Sequence, residues 1–198
     1  ILRCLVGSEM CIRDRYNDSN NYLARASQLP VQYDSRTKGY VTSVKYQGGL
    51  GTCWAYAATA AMESYALSHG IVSSATDIDL DEYALAYMTF DDTQYVDKLG
   101  NSTGDVTTIK ASSSMEKCLK GGGNDNYAFK TLSKWASMVN QQAGHEGIYL
   151  PTDYTFNVDD VEYILVGQKY IKMTDTQDVK QAVIDNGAVT VSYNACLL

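Results

Sequence analysis

The chain is short of several things, and each shortage removes a class of function. Basic residues number 16 against 23 acidic ones, a formal charge of −7. That balance leaves no cationic footprint for a phosphate backbone and no attraction to anionic lipid, so neither nucleic acid nor a membrane surface is an expected partner. No stretch approaches the roughly 20 apolar residues needed to span a bilayer. The five cysteines, Cys4, Cys11, Cys53, Cys118 and Cys196, include no C-x-x-C pair and make an odd count. They match neither a disulfide scaffold nor a zinc ribbon, and no cofactor or metal is expected. Asp77, Asp79 and Asp81 alternate as in a calcium loop, but the glycine required at its sixth position is Glu82 and the acid at its twelfth is Met88, which predicts a solvated helix start instead. Histidine is scarcest of the chemically useful residues, with only His69 and His145. The 16 tyrosines are spread along the chain and suit ordinary core and surface roles.

What is present concentrates in Gln47-Gly48-Gly49-Leu50-Gly51-Thr52-Cys53-Trp54-Ala55-Tyr56. The run from Trp54 to Leu67 is rich in helix formers and Gly70 is a natural stop, which places Cys53 in the first helical turn behind a glycine-rich turn. Unsatisfied N–H groups and the positive end of the helix dipole favour an anion there, and so a nucleophilic thiolate.

This segment resembles the active-site segment of papain-like cysteine peptidases, with Gly51 two residues before the cysteine, Trp54 directly after it and Gln47 six before it. Leu29-Pro30, Tyr33-Asp34-Ser35-Arg36 and Gly39 to Lys45 are similar to the family's lead-in. The resemblance implies that Cys53 is the nucleophile and that Gln47 helps the Cys53 backbone N–H form the oxyanion hole. It further implies that Gly122 and Gly123 present bare backbone to an extended peptide and, more loosely, that Ser192 lines the pocket for the second residue before the cleaved bond. One departure is Leu50, which stands where the family commonly has a cysteine bridged to a later one; Cys118 could have been its partner, and the usual bridge cannot form.

Organisation along the chain predicts an α+β protein, and the resemblance implies a papain-like two-lobe fold with the helical lobe complete and the β-rich lobe truncated. Residues 16–150 would form the helical lobe and residues 151–198 the start of the β-rich lobe. Helices are expected at Leu80 to Met88, Tyr127 to Trp135 and Val179 to Ile184, and a long polar surface excursion at residues 91–120. Strands are expected at Val161 to Val166, Lys169 to Met173 and Gly187 to Tyr193. Residues 1–15 make a poor signal peptide and resemble an adapter-derived translation, so they are set aside as non-native, and Ala195 to Leu198 resemble a similar artefact.

His69 ends the helix that Cys53 begins, and His145 lies in a loop similar to the family's lobe connection. The catalytic His and Asn are therefore expected beyond the end of this chain. The implied activity is hydrolysis of peptide bonds in a peptide or protein substrate through an acyl-enzyme, with the fragment inactive alone. A rival expectation is an inactive papain fold that binds peptides or proteins in the same groove; a third is a secreted structural module. Family habit places the protein outside the cell or on its surface, and oligomeric state is left open.

Overall fold

A computed structural model describes residues 3–5, 29–90, 114–133, 163–165 and 167–192. Two short strands and five α-helices are present among them: β1 (Arg3–Leu5), α1 (Cys53–Ser68), α2 (Glu82–Phe90), α3 (Met115–Lys120), α4 (Asp125–Leu132), β2 (Tyr163–Leu165) and α5 (Thr176–Asn186).

The helix α1 is central because its sequence is small or apolar all round, so it can be covered on every side. Trp54, Ala55, Met62, Tyr65, Ala66 and Leu67 are buried on it, and α2, α4 and α5 all pack against it. Its end follows the expected stop: His69 is the C-cap and Gly70 takes φ +64°, a left-handed conformation that glycine adopts without steric cost. Helix α2 is buried at every position except Tyr87. Its N-terminus is closed by Asp81, whose carboxylate accepts the Ala84 N–H at 2.8 Å. Asp81 is only 1% exposed, so the expected solvated helix start is a buried cap.

Ile78, Leu80, Leu85, Met88, Leu119 and Leu132 form the most deeply buried apolar set, each worth about 1.5–3 kcal/mol relative to exposure. Thr89 and Thr131 satisfy each other's buried hydroxyls at 2.9 Å, fastening α2 to α4. At the other side of α1, Gly187 (φ +80°) caps α5, and a Cβ there would meet Ser64 Oγ at 2.5 Å. Ser35 Oγ donates to the Gly187 carbonyl at 2.5 Å, which ties the chain before α1 to the end of α5.

The helical part thus follows expectation, with corrections. Within the expected surface excursion, Met115–Lys120 is helical and buries Leu119; a single turn and a half shows too little periodicity to be read from sequence. Residues 91–113 lie outside the described ones. Of the expected strands, Tyr163–Leu165 is paired, in parallel with Arg3–Leu5, with Arg3 opposite Tyr163 and Leu5 opposite Leu165. Residues 3–5, set aside as non-native, thereby supply the neighbour that β2 needs for its backbone groups. Lys169 to Met173 and residues 187–192 have no ladder among the described residues. Alternating apolar residues mark an extended chain, but a strand also requires a neighbour, and that is not a local property.

Candidate active site

The turn before α1 is built around Gln47. Gly48 at φ +64° lets the chain reverse, and the Gln47 side-chain amide donates to the Leu50 carbonyl at 2.8 Å. The amide carries two N–H donors, so one remains for another acceptor. Thr52 is the N-cap and its carbonyl accepts the N–H groups of Ala55 (2.9 Å) and Tyr56 (3.2 Å). Cys53 opens the helix, and its side chain is exposed.

Two close approaches bring the glycine triplet to this turn. The Gly51 N–H donates to the Leu119 carbonyl at 2.8 Å, and a Cβ on Gly51 would lie 2.5 Å from Gly122 N and 2.7 Å from the Lys120 carbonyl oxygen. A Cβ on Gly123 would collide with the Trp54 indole. Both positions therefore require glycine for space. Trp54 is in turn held edge-on by Tyr127 (centroids 5.9 Å, interplanar 87°), which makes the same contact with Phe90 at 6.0 Å. Sequence elements some 70 residues apart are thus locked into one surface beside the thiol.

That surface opens on a cleft of about 780 Å³ between α1, α4 and α5. Cys53, Trp54 and Gly123 line one side, and α5 with the chain up to Ser192 lines the other. Gln47 and Gly122 are not among the residues that line it. A cleft of this size with an exposed thiol at one edge can admit a peptide segment.

The histidines do not join the site. His69 sits at the far end of the 16-residue α1, about 24 Å from Cys53 at helical rise, stacked on Tyr65 (3.8 Å between centroids). His145 lies outside the described residues. Among the described residues, no cluster of His, Cys, Asp and Glu could hold a metal ion, and no helix is long and apolar enough to cross a membrane.

One feature of this region escaped the sequence reading. Lys45, two residues before Gln47, reaches Glu63 of α1 (3.1 Å), Asp79 (2.5 Å), Glu82 of α2 (2.7 Å) and the Leu80 carbonyl (3.0 Å). Glu63 is 1% exposed and is further satisfied by the Leu80 N–H at 2.7 Å and the Thr42 hydroxyl at 2.5 Å. Burial opposes the charge on Lys45, but hydrogen bonds to Asp79 and Glu82 and the Glu63 charge outweigh it and hold the ammonium pKa above its ordinary value. Burial also raises the Glu82 carboxyl above its ordinary value, against the pull of Lys45. The available signal was Glu63 itself, the one charged residue in a helix otherwise small, apolar or hydroxylic.

Comparison with known proteins bears on the same residues. The family model for papain family cysteine proteases matches residues 29–85. The low-temperature-induced cysteine proteinase of Solanum lycopersicum is 49% identical over 49 residues, which is 24% of this chain and 14% of that protein. Cathepsin S of Rattus norvegicus is 47% identical over 49 residues (24% and 15%), and ananain of Ananas comosus is 40% identical over 62 residues (31% and 18%). The matched stretch thus spans less than a fifth of each of these relatives. No solved structure is a significant match. Residues 29–85, which contain the Gln47 turn, Cys53 and the whole of α1, are thus the part of this chain that is similar to papain family cysteine proteases.

Proposed function

We propose that the chain carries the nucleophile and oxyanion half of a thiol peptidase acting on peptides or proteins. The observation that carries this reading is the exposed Cys53 thiol at the head of α1, opening on a cleft that Gly123 also lines. The Cys53 thiolate adds to the scissile carbonyl carbon, and the carbonyl π electrons move to oxygen. The second N–H of the Gln47 amide and the Cys53 backbone N–H then stabilise that oxyanion. Collapse expels the amine and leaves a thioester on Cys53, which water hydrolyses to the free acid and thiol. Gly122 and Gly123 offer peptide backbone to an extended substrate, and the close contacts at Gly51 and Trp54 hold them in place for it.

Protonation of the leaving amine requires an imidazole. His69 is too far away to serve, so the base of this reaction is not among the described residues. A two-lobe arrangement with the cysteine on the helical side, and a location outside the cell or on its surface, belong to the same reading. They rest on the family resemblance alone.

The test uses a peptide-directed, thiol-reactive affinity reagent on this chain. Labelling is expected at Cys53 in preference to half-buried Cys118, and Cys53→Ala abolishes it; labelling unchanged in that variant overturns the nucleophile assignment. A papain fold that only binds peptides is the second reading, and retention of Cys53 with an open thiol weighs against it. That reading predicts peptide binding undiminished by Cys53→Ala together with a thiol no more reactive than free cysteine.

A further inference from the structure

The chain from Tyr40 to Gln47 forms no ladder among the described residues, and after Tyr40, which packs against the core, its apolar side chains do little to hold it down. Val44 is 99% exposed and Tyr46 75%. What fastens it to the helices is polar. Ser64 Oγ donates to the Tyr40 carbonyl at 2.6 Å, Thr42 Oγ1 to Glu63, and Lys45 Nζ to Glu63, Glu82 and the Leu80 carbonyl, with Asp79 as a further ion-pair partner. Lys45 is the last of these ties before the turn and meets both α1 and α2. Its side chain is 17% exposed, while the carboxylates of Glu63 and Glu82 are 1% and 5% exposed. Beyond it, among the described residues, only a long hydrogen bond from the Tyr56 hydroxyl to the Tyr46 carbonyl (3.4 Å) precedes Gln47.

We infer that Lys45 is a positioning residue for the oxyanion donor: by pinning the segment before the turn to Glu63 and Glu82 it fixes where the Gln47 amide stands relative to the Cys53 thiol. The inference rests on the oxyanion role proposed for Gln47. A four-carbon arm anchored at two helices sets the segment's height along α1, and a donor displaced by about an ångström loses most of its effect on a developing oxyanion. Glu63 and Glu82 are already buried in the packed helices, so the anchor is rigid on the protein side.

Two reactions of the same thiol separate positioning from stability. Alkylation by iodoacetamide displaces iodide from carbon and forms no oxyanion. Acylation by p-nitrophenyl acetate adds the thiolate to a carbonyl, passes through an oxyanion and expels p-nitrophenolate, leaving a thioester. Both rates are measured on this chain, with the Cys53→Ala background subtracted to remove the other thiols. Gln47→Ala is expected to lower the ratio of acylation to alkylation by about tenfold, and Lys45→Met to lower it similarly, while Lys45→Arg keeps it near the wild-type value. Where Lys45→Met does not fold by circular dichroism, Lys45→Met/Glu82→Gln removes the cation together with one buried carboxylate and is read in its place. A folded Lys45 variant with the wild-type ratio, beside a reduced Gln47→Ala, overturns the inference and leaves the oxyanion reading standing. A wild-type ratio in Gln47→Ala removes that reading and the inference with it.

Discussion

The contact between Gly51 and the backbone of residues 120–122 can be tested by adding one methyl group. In Gly51→Ala the new Cβ lies 2.5 Å from Gly122 N, 2.7 Å from the Lys120 carbonyl oxygen and 2.9 Å from Gly122 Cα. All three are backbone atoms, so no rotamer change relieves the overlap and one chain must retreat. Overpacking of this kind costs about 1–3 kcal/mol. Separation of the two segments also weakens the Gly51 N–H bond to the Leu119 carbonyl, worth about 0.5–1.5 kcal/mol. The sum is about 1.5–4.5 kcal/mol, or roughly 3–18 °C in melting temperature for a domain of this size. Gly49, in the same turn, is the control: its Cβ would meet nothing within 4 Å, so Gly49→Ala should stay within about 0.5 kcal/mol of wild type. Urea unfolding followed by tryptophan fluorescence gives both values. Equal stability of the two variants would show that the glycine triplet does not rest on the Cys53 turn.

Other perturbations probe the remaining contacts. Gly123→Ala pushes against the Trp54 indole, a single side chain already held by Tyr127; it should cost about 1–3 kcal/mol and shift the tryptophan emission, and an unchanged spectrum would contradict the contact. Thr52 Oγ1 is buried with no hydrogen-bond partner among the described residues, so Thr52→Val, which keeps the shape and removes the hydroxyl, should raise stability by about 1 kcal/mol in the same urea assay; a loss would reveal a partner for that oxygen. Lys45→Met leaves Glu63 and Glu82 buried without their cation and should cost about 3–5 kcal/mol at neutral pH. The Lys45 pKa is raised in the folded state, so its contribution is complete below the unfolded value of 10.5 and fades as pH rises from there towards the folded value. The stability gap between wild type and Lys45→Met should therefore be flat from about pH 7 to 10 and narrow above 10.5, and a gap that widens there would refute the sign.

What could be read in the sequence was what is local. Gln47 to Tyr56 and the helix it opens are contiguous, and the glycine turn, the helix formers and the Gly70 stop act on their own neighbours. The contacts that complete the site are not of that kind. Lys45 meets carboxylates 18 and 37 residues away, and nothing in the spacing of Glu63 or Glu82 marks them as its partners. The strand pattern after residue 161 failed in part for the same reason, since alternation is a property of one segment and pairing is a property of two. Gly122 and Gly123 came from family resemblance; their reasons, a left-handed backbone at Gly122 (φ +82°) and space for the Trp54 indole at Gly123, are visible only in the fold.

The three groups assigned to the site are consequently held by three different forces. Cys53 is positioned by the helix it begins, which the packing of α2, α4 and α5 stabilises. Gly122 and Gly123 are positioned by close backbone and indole contact, which is short-ranged and insensitive to salt. On the inference above, Gln47 stands at the end of a segment fastened by charge, and the Glu63 and Glu82 carboxylates that anchor it are buried, so added salt screens those two pairs little even though Asp79 is exposed. Moderate salt should therefore leave the ratio of Cys53 acylation to alkylation unchanged, whereas removal of the Lys45 cation should lower it. If instead the ratio fell steadily with salt in the wild-type chain, the Gln47 segment would have to be held by exposed charges, and the buried Lys45 cluster would not be its anchor.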